Sequence, residues 1–158
     1  MKLKGIELHG TYKVEFNDMY FEVYDDKGNV IYYGDSDGKW SKNEYDDKSN
    51  MIYYVNSGGY WDKSEFDKNG NTIYFVNSNG YWYKSEYDDK GHRIYFENSS
   101  GYWDKSEYDE RDNLIYFEDS DGYILDKRIK ELTVKEIEKL LGYKIKIKGE
   151  RKWVKNTE

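Results

Sequence analysis

Phe66-Asp-Lys-Asn-Gly-Asn-Thr-Ile-Tyr-Phe-Val-Asn-Ser-Asn-Gly-Tyr-Trp-Tyr-Lys-Ser-Glu86 is one copy of a 21-residue unit that is written five times between Tyr24 and Arg128. The copies begin at Tyr24, Tyr45, Phe66, Tyr87 and Tyr108. Column eight is always isoleucine (Ile31, Ile52, Ile73, Ile94, Ile115) and column nine always tyrosine (Tyr32, Tyr53, Tyr74, Tyr95, Tyr116). Column ten is tyrosine in the first two copies and phenylalanine in the last three, column fifteen is glycine, and column seventeen is tryptophan until Ile124 replaces it in the last copy. A fixed period of this length, rich in glycine and aromatics, marks a repeat architecture.

Two turn signals divide each unit. Columns fourteen and fifteen (Asp37-Gly38, Gly58-Gly59, Asn79-Gly80, Ser100-Gly101, Asp121-Gly122) carry dipeptides that suit a type I′ turn, so they predict a two-residue hairpin. In Asp67-Lys68-Asn69-Gly70-Asn71 a three-residue loop puts Gly70 at the left-handed position of a type I turn with a bulge, and Ser49 and Asp112 take that position in two other copies. Two turns mean two antiparallel strands per unit. The first turn pairs Phe75 with Lys84, Ile73 with Glu86 and Asn77 with Trp82; the second pairs Phe66 with Thr72. One face then carries Ile73, Phe75, Trp82, Lys84 and Glu86, and the other Phe66, Thr72, Tyr74, Val76, Tyr81, Tyr83 and Ser85. The expected fold is mainly β: an elongated antiparallel meander of hairpin repeats, one sheet thick or partly rolled over its tryptophan face. Cross-strand aromatic and Lys–Glu ladders would hold it.

The flanks complete the plan. Residues 1–23 read as an N-terminal β cap, with Ile6 and Leu8, then Tyr12, Val14 and Phe16, alternating with polar residues. Residues 24–128 are the five repeats and 129–158 a C-terminal cap. Thr133 and Glu136 form a capping box at the start of a helix over 133–141, Val134, Ile137, Leu140 and Leu141 are its apolar face, and Gly142 its C-cap. Tyr143–Lys148 alternates as a final strand, and helix and strand are expected to pack on the last hairpins, with Trp153 able to dock from the tail.

Composition sets limits on function. The chain has 158 residues, 19% of them aromatic, no proline, no cysteine and a net charge of −7. Thiolate chemistry and disulfides are excluded. No signal-peptide run opens MKLKGIELHG, so a cytoplasmic protein is expected. Residues 125–158 hold 11 Lys/Arg and 6 Asp/Glu, net +5, and residues 1–124 hold 14 and 26, net −12. An acidic array with a basic end steers toward a basic partner surface, and direct nucleic-acid binding is disfavoured.

Candidate chemistry is sparse. Asp35-Ser-Asp37-Gly38 and Asp119-Ser-Asp121-Gly122 look like fragments of a calcium loop, but Asp46 and Lys130 stand where its bidentate glutamate belongs, so they are read as turns. His92 replaces the asparagine of other copies and is a turn residue; His9 belongs to a strand or turn. Ser78 and its equivalents have no repeated base beside them, and Glu65, Glu86 and Glu107 recur beside lysine as a ladder. No catalytic residue, metal site or cofactor is indicated, and the protein is read as no enzyme.

Variation between copies points elsewhere. Columns seven (Val30, Met51, Thr72, Arg93, Leu114), eleven (Gly34, Val55, Val76, Glu97, Glu118) and eighteen (Ser41, Asp62, Tyr83, Asp104, Leu125) do not repeat, and the expected register puts all three on the tyrosine face. The expected protein-binding surface is therefore Tyr53, Val55, Tyr60, Asp62, Tyr74, Val76, Tyr81, Tyr83, Tyr95, Glu97, Tyr102 and Asp104.

The pattern E-Y-D-x-x-G-N-x-I-Y-F-x-N-S-x-G-Y-W resembles the YD/MORN-like hairpin repeats of bacterial and phage proteins. The run Leu132-Thr-Val-Lys-Glu-Ile-Glu-Lys-Leu-Leu-Gly-Tyr-Lys-Ile-Lys-Ile147 resembles a tail on small accessory proteins of phages. The resemblance implies a non-enzymatic phage protein, in its sharpest form an inhibitor of a host defence nuclease of anti-CRISPR type. Asn77-Ser-Asn-Gly80-Tyr81-Trp82 after Tyr74-Phe75 is also similar to the aromatic repeats of glycan- and wall-binding proteins, and a virion component is the remaining alternative.

Overall fold

A computed structural model describes residues 2–3, 6–7, 12–128 and 132–146. The chain divides into two compact units, residues 1–127 and 128–158. In the first, β1 (Lys2–Leu3) and β2 (Ile6–Glu7) pair with each other. The strands β3 (Lys13–Phe16), β4 (Tyr20–Tyr24), β5 (Val30–Asp35), β6 (Trp40–Tyr45), β7 (Met51–Asn56), β8 (Trp61–Phe66), β9 (Thr72–Asn77), β10 (Trp82–Tyr87), β11 (Arg93–Asn98), β12 (Trp103–Tyr108), β13 (Leu114–Asp119) and β14 (Ile124–Asp126) then form one twelve-stranded antiparallel sheet. Each strand lies beside its sequence neighbours, and the sheet is open, with β3 and β14 at its edges. The chain is a β-hairpin repeat protein.

Both turns of the unit are the same device, which corrects the two-residue turn. Asp67 N–H donates to Asn71 O at 2.9 Å and Gly70 N–H to Asp67 O at 3.2 Å; Asn77 N–H donates to Tyr81 O and Gly80 N–H to Asn77 O, each at 3.0 Å. Both are three-residue loops. Only the glycine is left-handed: Gly80 has φ 80°, Gly70 φ 89°, and Ser49 and Asp112 reach 65° in the glycine's place. An Asx side chain starts each loop. Asp67 Oδ1 accepts from Asn69 N and Asn71 N (2.8 and 2.9 Å), and Asn77 Oδ1 from Asn79 N and Tyr81 N (3.0 and 3.3 Å). That cap fixes residue one of a type I turn and overrides the Asn-Gly preference for type I′.

The extra loop residue shifts the register by one. Trp82 pairs with Val76, Tyr83 with Phe75 and Lys84 with Tyr74, in place of Asn77–Trp82, Phe75–Lys84 and Ile73–Glu86. Phe66 pairs with Thr72 as expected, but Glu65 already pairs with Tyr74, so Ile73 is the extra residue of a bulge. The same shift recurs at Ile31, Ile52, Ile94 and Ile115. The invariant isoleucine column is thus a bulge column, and each bulge bends its strand and strengthens the local twist.

One face, here face A, carries Tyr74, Val76, Trp82, Lys84 and Glu86; face B carries Phe66, Thr72, Phe75, Asn77, Tyr83 and Ser85. The expected sorting holds for β8 and β10 and is inverted along most of β9. The sheet is thin. Among the described residues only Val23 and Tyr32 are buried hydrophobics.

The invariant serine of column thirteen joins the copies. Ser78 N–H donates to Trp61 O at 2.8 Å, and Ser78 Oγ accepts from Trp61 N at 3.3 Å. Ser57, Ser99 and Ser120 do the same with Trp40, Trp82 and Trp103. Each loop thereby extends the ladder by one step onto the preceding copy.

At the first edge a row of rings crosses face A: Phe16–Phe21 at 5.8 Å, Phe21–Tyr32 at 5.8 Å and Tyr32–Trp40 at 6.3 Å. Gly34 lies under that row, where an added Cβ would stand 2.7 Å from the Phe21 ring. Of the expected cap, Leu8 and His9 lie outside the described residues.

In the second unit α1 spans Val134–Leu141, with Thr133 and Glu136 in a reciprocal capping box and Gly142 left-handed at φ 75°. Residues 143–146 form no strand, a correction to the expected Tyr143–Lys148 strand. The chain instead returns to the helix, Glu138 accepting from Ile145 N and pairing with Lys144 Nζ, both at 3.1 Å. Ile147, Lys148 and Trp153 lie outside the described residues.

The turn geometry makes Gly80 and Asn79 unequal. Gly80→Ala is expected to cost about 1–2 kcal/mol, the penalty of a left-handed L-residue, and Asn79→Ala less than about 0.5 kcal/mol. Urea denaturation of the two variants checks this; equal losses would restore the type I′ turn.

Candidate functional site

The expected binding residues do not share a face. Tyr53, Val55, Tyr74, Val76, Tyr95 and Glu97 lie on face A, and Tyr60, Asp62, Tyr81, Tyr83, Tyr102 and Asp104 on face B. The inversion of the first strand of each copy separates them.

Face A compensates most of its own charge. Lys84 pairs directly with Glu97 at 3.4 Å and Lys105 with Glu118 at 3.3 Å, while Lys42 reaches Glu44 at 2.5 Å. The lysine stems cross the rings, with Lys84 Nζ 5.8 Å from Trp82 and Lys105 Nζ 5.1 Å from Trp103. Column eleven varies with these partners. Glutamate opposes lysine in later copies, Val55 and Val76 oppose Trp61 and Trp82, and Gly34 lies under Phe21.

Face B carries a band of rings across the strands. Tyr20–Tyr33 stand 5.5 Å apart, Tyr54–Tyr60 6.1 Å, Phe75–Tyr83 5.3 Å, Tyr83–Phe96 5.8 Å, Phe96–Tyr102 6.2 Å and Phe117–Tyr123 5.8 Å. Columns seven and eighteen meet within this band in the third and fourth copies. Thr72 lies beside the Tyr83 hydroxyl, which burial pushes above its ordinary pKa while Thr72 opposes the shift. Arg93 reaches Asp104 at 3.1 Å and lies 4.5 Å from the centre of the Phe96 ring. Leu114 and Leu125 stand at the same two positions in the last copy. Burial holds Asp104 above the carboxylate range, with Arg93 opposing, and also raises Asp62. Some of the unit-to-unit variation is therefore paired inside the protein, and the opposite charges of Arg93 and Asp104 in one copy are the signal the sequence offered.

The remaining candidates serve the turns. Asp35 Oδ1 accepts from Lys39 N at 2.8 Å, and Asp119 Oδ1 from Asp121 N and Tyr123 N at 3.0 Å. His92 keeps the turn, its Nδ1 2.8 Å from Asp88 Oδ2 and its ring 4.4 Å from Tyr108. Hydrogen bonds from Asn50, Asn71, His92 and Asn113 hold Asp46, Asp67, Asp88 and Asp109 below the usual carboxylate range.

No protein-family model matches the chain, and no curated protein sequence matches it. Among solved structures it is similar to the crystal structure of TcdB2-TccC3-TEV, with 15% sequence identity and a TM-score of 0.49 over 64% of this chain. The match spans 5% of that chain.

Two outcomes follow. Arg93→Leu alone leaves the Asp104 side chain, 4% exposed, without its cation and should cost about 1–3 kcal/mol. Arg93→Leu with Asp104→Leu copies the Leu114/Leu125 pair and should recover most of that loss; chemical denaturation of the cycle decides, and simple additivity would refute the coupling. Separately, a carboxylate with a depressed folded pKa contributes stability above its unfolded pKa, about 3.9, and loses it as pH falls through the folded value. The four turn aspartates should make the urea midpoint fall as pH drops below about 4. A rise there would mean that the burial-raised Asp62 and Asp104 dominate, because protonation favours their folded state.

Proposed function

We propose that this is a non-enzymatic protein-binding repeat protein that docks a basic partner through face B. The observation that carries the reading is the ring band from Tyr20 to Tyr123, bordered by carboxylates that face A does not neutralise. Four lysines on face A offset four of its six glutamates, so most of the net −12 of residues 1–124 resides at the turns and on face B. Tyr20, Tyr81 and Tyr123 are 38%, 41% and 59% exposed, leaving ring area for contact at little entropic cost. Of the residues expected to bind, Tyr60, Asp62, Tyr81, Tyr83, Tyr102 and Asp104 belong to this face.

The finer form of the proposal is a phage-encoded, anti-CRISPR-type inhibitor in the host cytoplasm. It would set its acidic side against the nucleic-acid channel of a defence nuclease. The repeat-and-tail resemblance and the charge support it.

The test is affinity purification of tagged protein from lysate of a host carrying CRISPR and other nuclease systems, then reconstitution with the purified partner. The expected result is one stoichiometric basic protein, released at high salt and displaced by nucleic acid. Retention of wall glycan or virion proteins alone, or of nothing, would overturn the reading.

A further inference from the structure

The ring band is interrupted wherever column eighteen carries no ring, at Ser41, Asp62, Asp104 and Leu125, and Ser41 is the smallest of these side chains. Around Tyr83 the band is a sandwich, that ring lying 5.3 Å from Phe75 and 5.8 Å from Phe96. The pairing is Tyr83 with Phe75 on one side and with Asn98 on the other. Ser41 holds the equivalent place in the first copy, paired with Tyr33 and with Asn56. A serine cannot reach between the flanking Tyr33 and Tyr54 rings. The result is a groove of about 490 Å³ whose lining includes Tyr33, Asp35, Lys39, Ser41, Tyr54 and Asn56.

The chain shows what such a slot accepts. One copy puts the Tyr83 ring there. Another puts a guanidinium beside the band: Arg93 lies over Phe96 and pairs with Asp104. The open slot has the parts of the second arrangement without its guanidinium. Two tyrosine rings wall it, and Asp35 stands where the three middle copies have Asn56, Asn77 and Asn98. The Tyr33 hydroxyl is held up first by burial, then by negative charge from Asp35, Glu22 and Asp37. Lys39 is the positive side chain in the lining. Asp35 and Lys39 offset each other within the lining, and Glu22, paired with Tyr33, and Asp37 in the adjoining turn make the surroundings net negative.

We propose that the slot between Tyr33 and Tyr54 receives an arginine side chain of a protein partner, its guanidinium stacked between the rings and paired with Asp35. Arginine is preferred over lysine because a planar, weakly hydrated cation stacks and an ammonium does not. This rests on the protein-binding reading and adds the chemistry of the partner residue.

The test is NMR titration of the full chain with N-acetyl-arginine methylamide, following the ring signals of Tyr33 and Tyr54. Saturable shifts of both rings are expected, with the lysine analogue weaker. Asp35→Asn should weaken binding roughly tenfold, the scale of one charge-assisted hydrogen bond. Ser41→Tyr should abolish it while keeping wild-type unfolding, since Tyr83 already occupies that position in another copy. Equal shifts with the lysine or phenylalanine analogue, saturable shifts with methyl glucoside, or no saturable shift would overturn the assignment. A protein complex that forms and is indifferent to Ser41→Tyr would overturn the slot and leave the protein-binding reading standing. Arginine binding without any protein complex would do the reverse.

Discussion

An Asx side chain capping a three-residue turn sets everything downstream. In Asn77-Ser-Asn-Gly80 and Asp67-Lys-Asn-Gly70 alike, one side-chain oxygen takes two backbone N–H groups and the glycine turns left-handed. Loop length fixes register, and register fixes the face of every side chain along the next strand. The isoleucine bulge adds a second one-residue step in each unit. With no thick core to enforce a pattern, these two steps decide which residues meet.

The same economy explains how so thin a sheet persists. Its stability is distributed over ladder hydrogen bonds, the serine–tryptophan clamp and cross-strand side-chain pairs. The serine is invariant because both its N–H and its hydroxyl oxygen meet the tryptophan backbone of the preceding copy. Part of the apparent drift at columns seven and eighteen is complementarity, as where Arg93 pairs with Asp104. Variation therefore bears on an external surface only at positions without such an internal partner.

Charge divides between the faces for a geometric reason. Lys84 faces Glu97 and Lys105 faces Glu118, so face A closes its own pairs. Face B mixes rings with Asp35, Asp62, Asp104 and Asp119 and has Arg93 as a stacked cation. A polar ring surface with excess negative charge attracts positive groups.

The sequence by itself determined the repeat, the antiparallel hairpins, the left-handed Gly70 loop and the capped helix from Thr133 to Gly142. These depend on residues within a few positions of one another, where turn and capping chemistry is local. It also placed Trp82, Lys84 and Glu86 on one face and Tyr83 and Ser85 on the other. Only the tertiary structure decided where Tyr74, Phe75 and Val76 point. Asn79-Gly80 admits two turns, and the bulge at Ile73 leaves no local mark, so two one-residue errors cancel and the wrong register looks self-consistent. Pairing across strands resolves it, because only the assembled ladder shows which residue stands opposite which.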